Sequence, residues 1–117
     1  MRIGDLSRET RASIRSLRYY EAQGLITADR TLGGQRVYCD AMINRVHVIR
    51  RLLAAGLPSR AIRVLLPCED TGAVTADMVE EIQHQHARLG ARIDELNTAK
   101  KQLDEILTSV QDEIDAY

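Results

Sequence analysis

Apolar positions change rhythm several times along this chain, and each change predicts a new element. Ile3 and Leu6 open a short helix over about residues 3–9, and Thr10-Arg11-Ala12 reads as a turn. Ser13 can accept a hydrogen bond from a first-turn amide, so it caps the next helix. In that helix Ile14, Leu17 and Tyr20 recur at spacing three and are expected to face inward. Arg15, Arg18 and Tyr19 then lie largely on the other side, and Gly24 ends the helix. The helical rhythm is lost over 25–38. There Leu25-Ile26-Thr27, Gly33-Gly34 and Gln35-Arg36-Val37-Tyr38 predict a small two-stranded hairpin. Asp40 reads as the cap of a third helix over about 41–55, with Ile43, Val46, Ile49, Leu52 and Leu53 as its buried stripe and Gly56 as its stop. A fourth short helix opens at Pro58 or Ser59, carries Ala61, Ile62, Leu65 and Leu66, and is expected to close at Pro67. Residues 67–74 read as a hinge loop, with turn chemistry at Asp70-Thr71-Gly72.

From Thr75 the pattern becomes uniform. Ile82, Leu89, Leu96, Leu103 and Val110 are spaced by seven, and Ile93, Leu107 and Ile114 fall four residues after three of them. Ile106 widens the stripe, and the positions between are mostly Asp, Glu, Lys, Gln and Arg. This is a heptad seam on one long helix without proline. A helix of that length cannot bury its stripe on a small domain, so the seam predicts a partner helix, most simply its own copy. Ile82, Leu89, Ile93, Leu96, Leu103, Leu107, Val110 and Ile114 are the candidate dimerisation residues. The chain therefore divides into a head over 1–66, a hinge over 67–74 and a dimerisation helix over 75–117.

Charge sharpens this division. The net charge of −1 conceals 12 Arg against 5 carboxylates in residues 1–66, a net of +7, and 4 Lys+Arg against 12 carboxylates in 67–117, a net of −8. A basic head is an electrostatic footprint for a polyanion, and an acidic rod would avoid one. With no Phe or Trp the core must be aliphatic, and so small an aliphatic head gains from dimerisation. No apolar run is long enough to span a membrane and the N-terminus is not signal-like, so the expected location is the cytoplasm.

Three of the four tyrosines lie within 17–38, in Leu17-Arg18-Tyr19-Tyr20-Glu21, Gly24-Leu25, Arg30-Thr31, Gly33-Gly34 and Arg36-Val37-Tyr38. Arginine forks onto phosphate, and tyrosine can donate to phosphate while covering the sugar. A short helix pair whose second member has a basic outer face is a helix-turn-helix signature, and the hairpin beside it is a wing. At these spacings the stretch resembles the MerR family of bacterial transcription regulators. The resemblance covers about residues 2–66 in sequence detail and 75–115 by architecture. It implies a mainly α fold, a winged helix-turn-helix DNA-binding domain followed by a long antiparallel coiled-coil dimerisation helix. It further implies that Arg15 and Arg18 touch DNA, while Tyr19 or Tyr20 with Arg30 and Arg36 of the wing brace the phosphates. Tyr38 is expected to pack the wing onto the third helix. The implied partners are double-stranded DNA at a palindromic promoter site, a second copy of the chain and, indirectly at the promoter, RNA polymerase. The implied mechanism is distortion of promoter DNA.

This chain departs from the family pattern in the turn, where Arg11-Ala12 replaces the usual glycine and offers a further cation. It also departs at Thr27-Ala28-Asp29, where the wing often begins with proline, and at Gln35, where the family usually has tyrosine. Asp29 is expected to pair with a neighbouring arginine. No cysteine follows position 68, so the paired thiolates that a soft metal requires are missing, and no cofactor or metal is expected. Cys68 is a candidate redox-sensing thiol near the hinge, whereas Cys39 reads as structural. His84 and His86, two apart, fall on different helix faces. No nucleophile–base set or phosphate-cradling loop stands at motif spacing, which argues against an enzyme. The competing reading is a coiled-coil adaptor whose basic head binds an acidic partner.

Overall fold

A computed structural model describes residues 1–116. The chain forms α1 (Ile3–Thr10), α2 (Ile14–Ala22), β1 (Asp29–Arg30), β2 (Arg36–Val37), α3 (Ala41–Ala54), α4 (Ser59–Thr71) and α5 (Ala76–Asp115). It divides into two units, residues 1–81 and residues 82 onward. The end of the expected helix at Tyr117 lies outside the described residues.

Local chemistry sets the ends of the first helices. The Arg2 amide donates to Asp5 Oδ2 at 3.0 Å, which gives α1 an acidic first turn where its dipole favours one. That backbone hydrogen bond, aided by the nearby Arg8 guanidinium, holds the Asp5 carboxyl below its usual range. Ser13 caps α2 as expected, its Oγ accepting from the Ser16 amide at 3.0 Å. Leu17 and Tyr20 are buried, but Ile14 is 39% exposed, so the inward stripe of α2 begins at Leu17.

The core joins Leu6 of α1, Leu17 of α2, Val46 and Ile49 of α3 and Ile62 of α4. Leu25 and Ile26, expected in the first wing strand, are instead fully buried core residues of an irregular segment. Their side chains are committed to the core, so the antiparallel ladder starts only at Asp29, with Asp29 opposite Val37 and Arg30 opposite Arg36.

Two further expectations change. Asp40 occupies the position before α3 but makes no side-chain cap bond. The first turn is tightened instead by Met42 and Ile43 amides donating to the Cys39 and Asp40 carbonyls, each at 3.0 Å. Helix α4 does not close at Pro67 but runs through it to Thr71, so residues 67–71 of the expected hinge, Cys68 among them, are helical. Proline's fixed φ suits a helix, and its cost is a lost amide donor and crowding in the preceding turn. The last turn is held from elsewhere. Arg45 of α3 binds Asp70 at 2.6 Å, and Gly72 at φ 72° donates to the Cys68 carbonyl at 2.7 Å.

Helix α5 starts as expected, with Thr75 Oγ1 accepting from the Met78 amide at 3.2 Å. Its 40 residues are about 60 Å long. In the unit from Ile82, every apolar residue of the heptad stripe is exposed, Leu96 at 60% and Leu103 at 65%. Among the described residues no helix is long and apolar enough to cross a membrane.

Candidate nucleic-acid interface

The inward pair Leu17 and Tyr20 fixes the rotation of α2. Residues one position away turn by about 100° around the axis, so Arg18 and Tyr19 must emerge. Arg15, Arg18 and Tyr19 are exposed, Tyr19 at 51%. Tyr20 is not: only 6% of it reaches solvent, and it meets Tyr19 edge-on with ring centroids 6.4 Å apart. Burial makes Tyr20 a core residue and corrects its expected place among the phosphate contacts.

Partner choice separates the arginines of the head. Arg2 donates to Gln35, Arg8 pairs with Asp5, Arg45 with Asp70, and Arg50 and Arg63 donate to the Thr10 and Gln23 carbonyls. The two wing arginines are also engaged. Arg30 Nη1 donates to the Gly34 carbonyl at 2.9 Å, and Arg36 Nε stands 3.4 Å from Glu21 Oε2. Among the described residues, the side chains of Arg11, Arg15, Arg18, Arg51 and Arg60 have no hydrogen bond or ion pair. Among the described residues Asp29, expected to pair with an arginine, has no ion pair either.

The wing tip is closed by its own backbone. The Thr31 amide donates to the Gln35 carbonyl at 2.8 Å, and the Gly34 amide returns to the Thr31 carbonyl at 2.9 Å. Gly34 sits at φ 82°, where a side chain would be strained. Gln35, which stands where the family pattern has tyrosine, accepts from Arg2 and so links the wing to the start of α1.

Glu21 ties the wing to α2. Its Oε1 accepts from the Tyr38 hydroxyl at 2.7 Å while Oε2 faces Arg36. Tyr38 is buried in the cluster that holds Met42, Val46 and Ile49 of α3, and its hydroxyl donates to Glu21 of α2. Burial, then the Glu21 hydrogen bond and charge, push the Tyr38 hydroxyl up to about 12, and the positive charges of Arg36 and Arg18 oppose this. The folded value lies above the unfolded one of about 10, so Tyr38 contributes stability that is complete below about pH 10. That contribution is lost as pH rises toward about 12. A circular-dichroism melt across this alkaline range is expected to show falling stability, with a smaller fall in Tyr38→Phe.

Helix α4 also reaches α2, a contact that the sequence pattern does not show. The Tyr19 hydroxyl lies 3.2 Å from Ser59 Oγ, and Arg63 Nη1 donates to the Gln23 carbonyl at 2.9 Å. Exposed Arg60 thus stands beside the end of α4 that meets Tyr19. The only sequence signal was Ser59-Arg60 with Arg63 three residues on. Cys68 is half-buried on α4 and Cys39 is exposed. His84 and His86 are exposed, and among the described residues no three potential metal ligands cluster.

A helix α2 with a basic outer face, flanked by a braced hairpin and by the start of α4, defines a DNA-binding module of the winged helix-turn-helix class. The match to known proteins is specific. Residues 1–68 match the model of the MerR HTH family of regulatory proteins, and residues 43–106 match that of the MerR DNA-binding region. The chain belongs to the MerR family. It is 43% identical over 63 residues to the nodulation protein NolA of Bradyrhizobium elkanii, a match covering 53% of this chain and 29% of that protein. The chain spans 27–38% of the length of the NolA proteins it matches. It is 32% identical over 93 residues to the mercuric resistance operon regulatory protein of Bacillus cereus, covering 72% of this chain and 70% of that protein. The structure of PbrR691 from Ralstonia metallidurans CH34, a transcription regulator in complex with lead(II), superposes with a TM-score of 0.78 at 26% identity, covering 90% of this chain and 83% of that one.

Proposed function

We propose that this protein is a homodimeric, sequence-specific DNA-binding regulator of transcription that acts at a palindromic promoter site. The reading is carried by the exposed guanidiniums of Arg15 and Arg18, which make no hydrogen bond or ion pair among the described residues and stand on the outer face of α2. Phosphate oxygens are the partners that two such groups on a helix-turn-helix would take. Tyr19 presents a hydroxyl and an exposed ring beside them. The wing arginines act differently: Arg30 and Arg36 hold the hairpin's shape and offer phosphate only their remaining donors.

The apolar stripe of α5 supplies the dimer, pairing antiparallel with its copy so that two heads read two half-sites at a fixed spacing. Distorting the promoter between those half-sites would require about 1–6 kcal/mol of deformation energy, drawn from phosphate contacts. RNA polymerase would meet the altered promoter, in the cytoplasm. The name of the Bacillus cereus relative, a regulator of a resistance operon, supports the transcriptional reading. Half-buried Cys68 on α4 remains the candidate redox-sensitive position.

Arg18→Ala tests the site. Titration of duplex DNA over a range of salt should show weaker binding to all sequences alike and a log–log slope shallower by about 0.9. Loss at a single base position would assign Arg18 to base readout instead. Wild-type binding indifferent to DNA sequence would favour the adaptor.

A further inference from the structure

Among the described residues, Arg11 is the one non-glycine residue at positive φ, at φ 62° and ψ 11°. This left-handed region crowds Cβ against the backbone, and helices that end in it usually do so on glycine. The turn holds the conformation firmly. The Arg11 amide donates to the Ser7 carbonyl at 2.8 Å and Ser7 Oγ to the Ala12 carbonyl at 2.6 Å. The Ala12 amide donates to Thr10 Oγ1 at 3.2 Å. None of these bonds uses the Arg11 side chain, which is exposed and has no hydrogen bond or ion pair among the described residues.

A cation at the C-terminus of α1 would ordinarily be explained by the helix dipole. That role is already filled, because Arg50 reaches from α3 to donate to the Thr10 carbonyl at 2.8 Å. Arg11 therefore occupies a position where the backbone favours glycine, and among the described residues its side chain returns no bond to the fold. Its distinguishing feature is its place. It stands two residues before Ser13, which caps α2, and four before exposed Arg15. Its anchoring backbone is fixed by the turn's hydrogen bonds, so only the side chain must be ordered on binding.

We infer that Arg11 is a phosphate-binding residue of the turn, a contact to the DNA backbone at the N-terminal end of α2 and separate from the helix and the wing. This rests on the DNA-binding reading above. The guanidinium forks onto a phosphodiester oxygen pair, and the turn's own hydrogen bonds hold the left-handed backbone that presents it.

The test uses the full chain and a duplex selected by the wild-type protein from a random pool. Thermal unfolding and duplex titrations over a salt series are run for wild type, Arg11→Gly and Arg11→Lys. Arg11→Gly is expected to melt a few degrees higher. It is also expected to bind roughly five- to tenfold more weakly at about 0.1 M salt, with a log–log slope shallower by about 0.9. Arg11→Lys should keep both the wild-type slope and the wild-type melting temperature. An Arg11→Gly protein with unchanged slope and affinity overturns the inference, as does one that fails to melt higher. A wild-type protein that binds no duplex removes the DNA-binding reading itself, and with it Arg11's role.

Discussion

Leu96→Asp is expected to leave the protein monomeric and to weaken its binding to a two-half-site duplex by about 10²- to 10⁴-fold. Leu96 is 60% exposed near the middle of a stripe that runs from Ile82 to Ile114, so in the single chain its side chain meets water. Covering each such leucine stabilises association by about 1.5–3 kcal/mol. The substitution removes that contribution in both copies and places a carboxylate in each seam, where pairing would strip it of water. Once the rod no longer pairs, each head binds its half-site alone and the second binding event loses its effective concentration. The head keeps its own core of Leu6, Leu17, Val46, Ile49 and Ile62, so its helical signal should survive. Sedimentation equilibrium reads the oligomeric state, and titration with full and half-site duplexes reads the coupling. A Leu96→Asp protein that still sediments as a dimer at the wild-type concentration would show that the seam lies elsewhere.

The second large effect concerns Glu21. Glu21→Ala is expected to destabilise the head by about 1–3 kcal/mol, because it leaves the Tyr38 hydroxyl buried without its acceptor. It also releases Arg36 from α2 and so loosens the wing. Tyr38→Phe removes the donor too, so adding it to Glu21→Ala should recover part of the loss. A denaturant-unfolding double-mutant cycle measures this directly. Coupling of about 0.5–3 kcal/mol is the range for residues in contact. Strict additivity of the two changes would mean that the hydrogen bond contributes nothing and that the wing is held by packing alone.

Glu21 also marks where sequence reading stopped. Its motif was visible, but its task was not, because its partners Arg36 and Tyr38 lie 15 and 17 residues away on the far side of the hairpin. The helix-turn-helix itself was legible. Leu17 and Tyr20 set the inward side of α2, and helical geometry then placed Arg18 and Tyr19 outside. Tyr20 was the ambiguous position, since a tyrosine can be satisfied at a rim or in a core, and only the packing around it buries it. The wing arginines were recognised by their spacing, yet their engagement with Gly34 and Glu21 depends on how the hairpin folds back. Pro67 misled because its local cost is real, while the contact that offsets it, Arg45 to Asp70, spans 25 residues.

Local order along the chain determined the alternation of short helices and hairpin, the basic outer face of α2, the seven-residue repeat of α5 and the opposite charges of the two halves. These follow from periods of two, three and a half or three and six-tenths residues, which a sequence displays without reference to distant neighbours. Tertiary structure alone decided which guanidiniums of the described residues bond within the protein and which do not, and that Ser59 meets Tyr19 across 40 residues. It also revealed that Arg11 adopts a backbone conformation suited to glycine. The physical reason is range: a hydrogen bond or ion pair forms only within a few ångströms, and which remote residues come that close is fixed by the packing of the whole head.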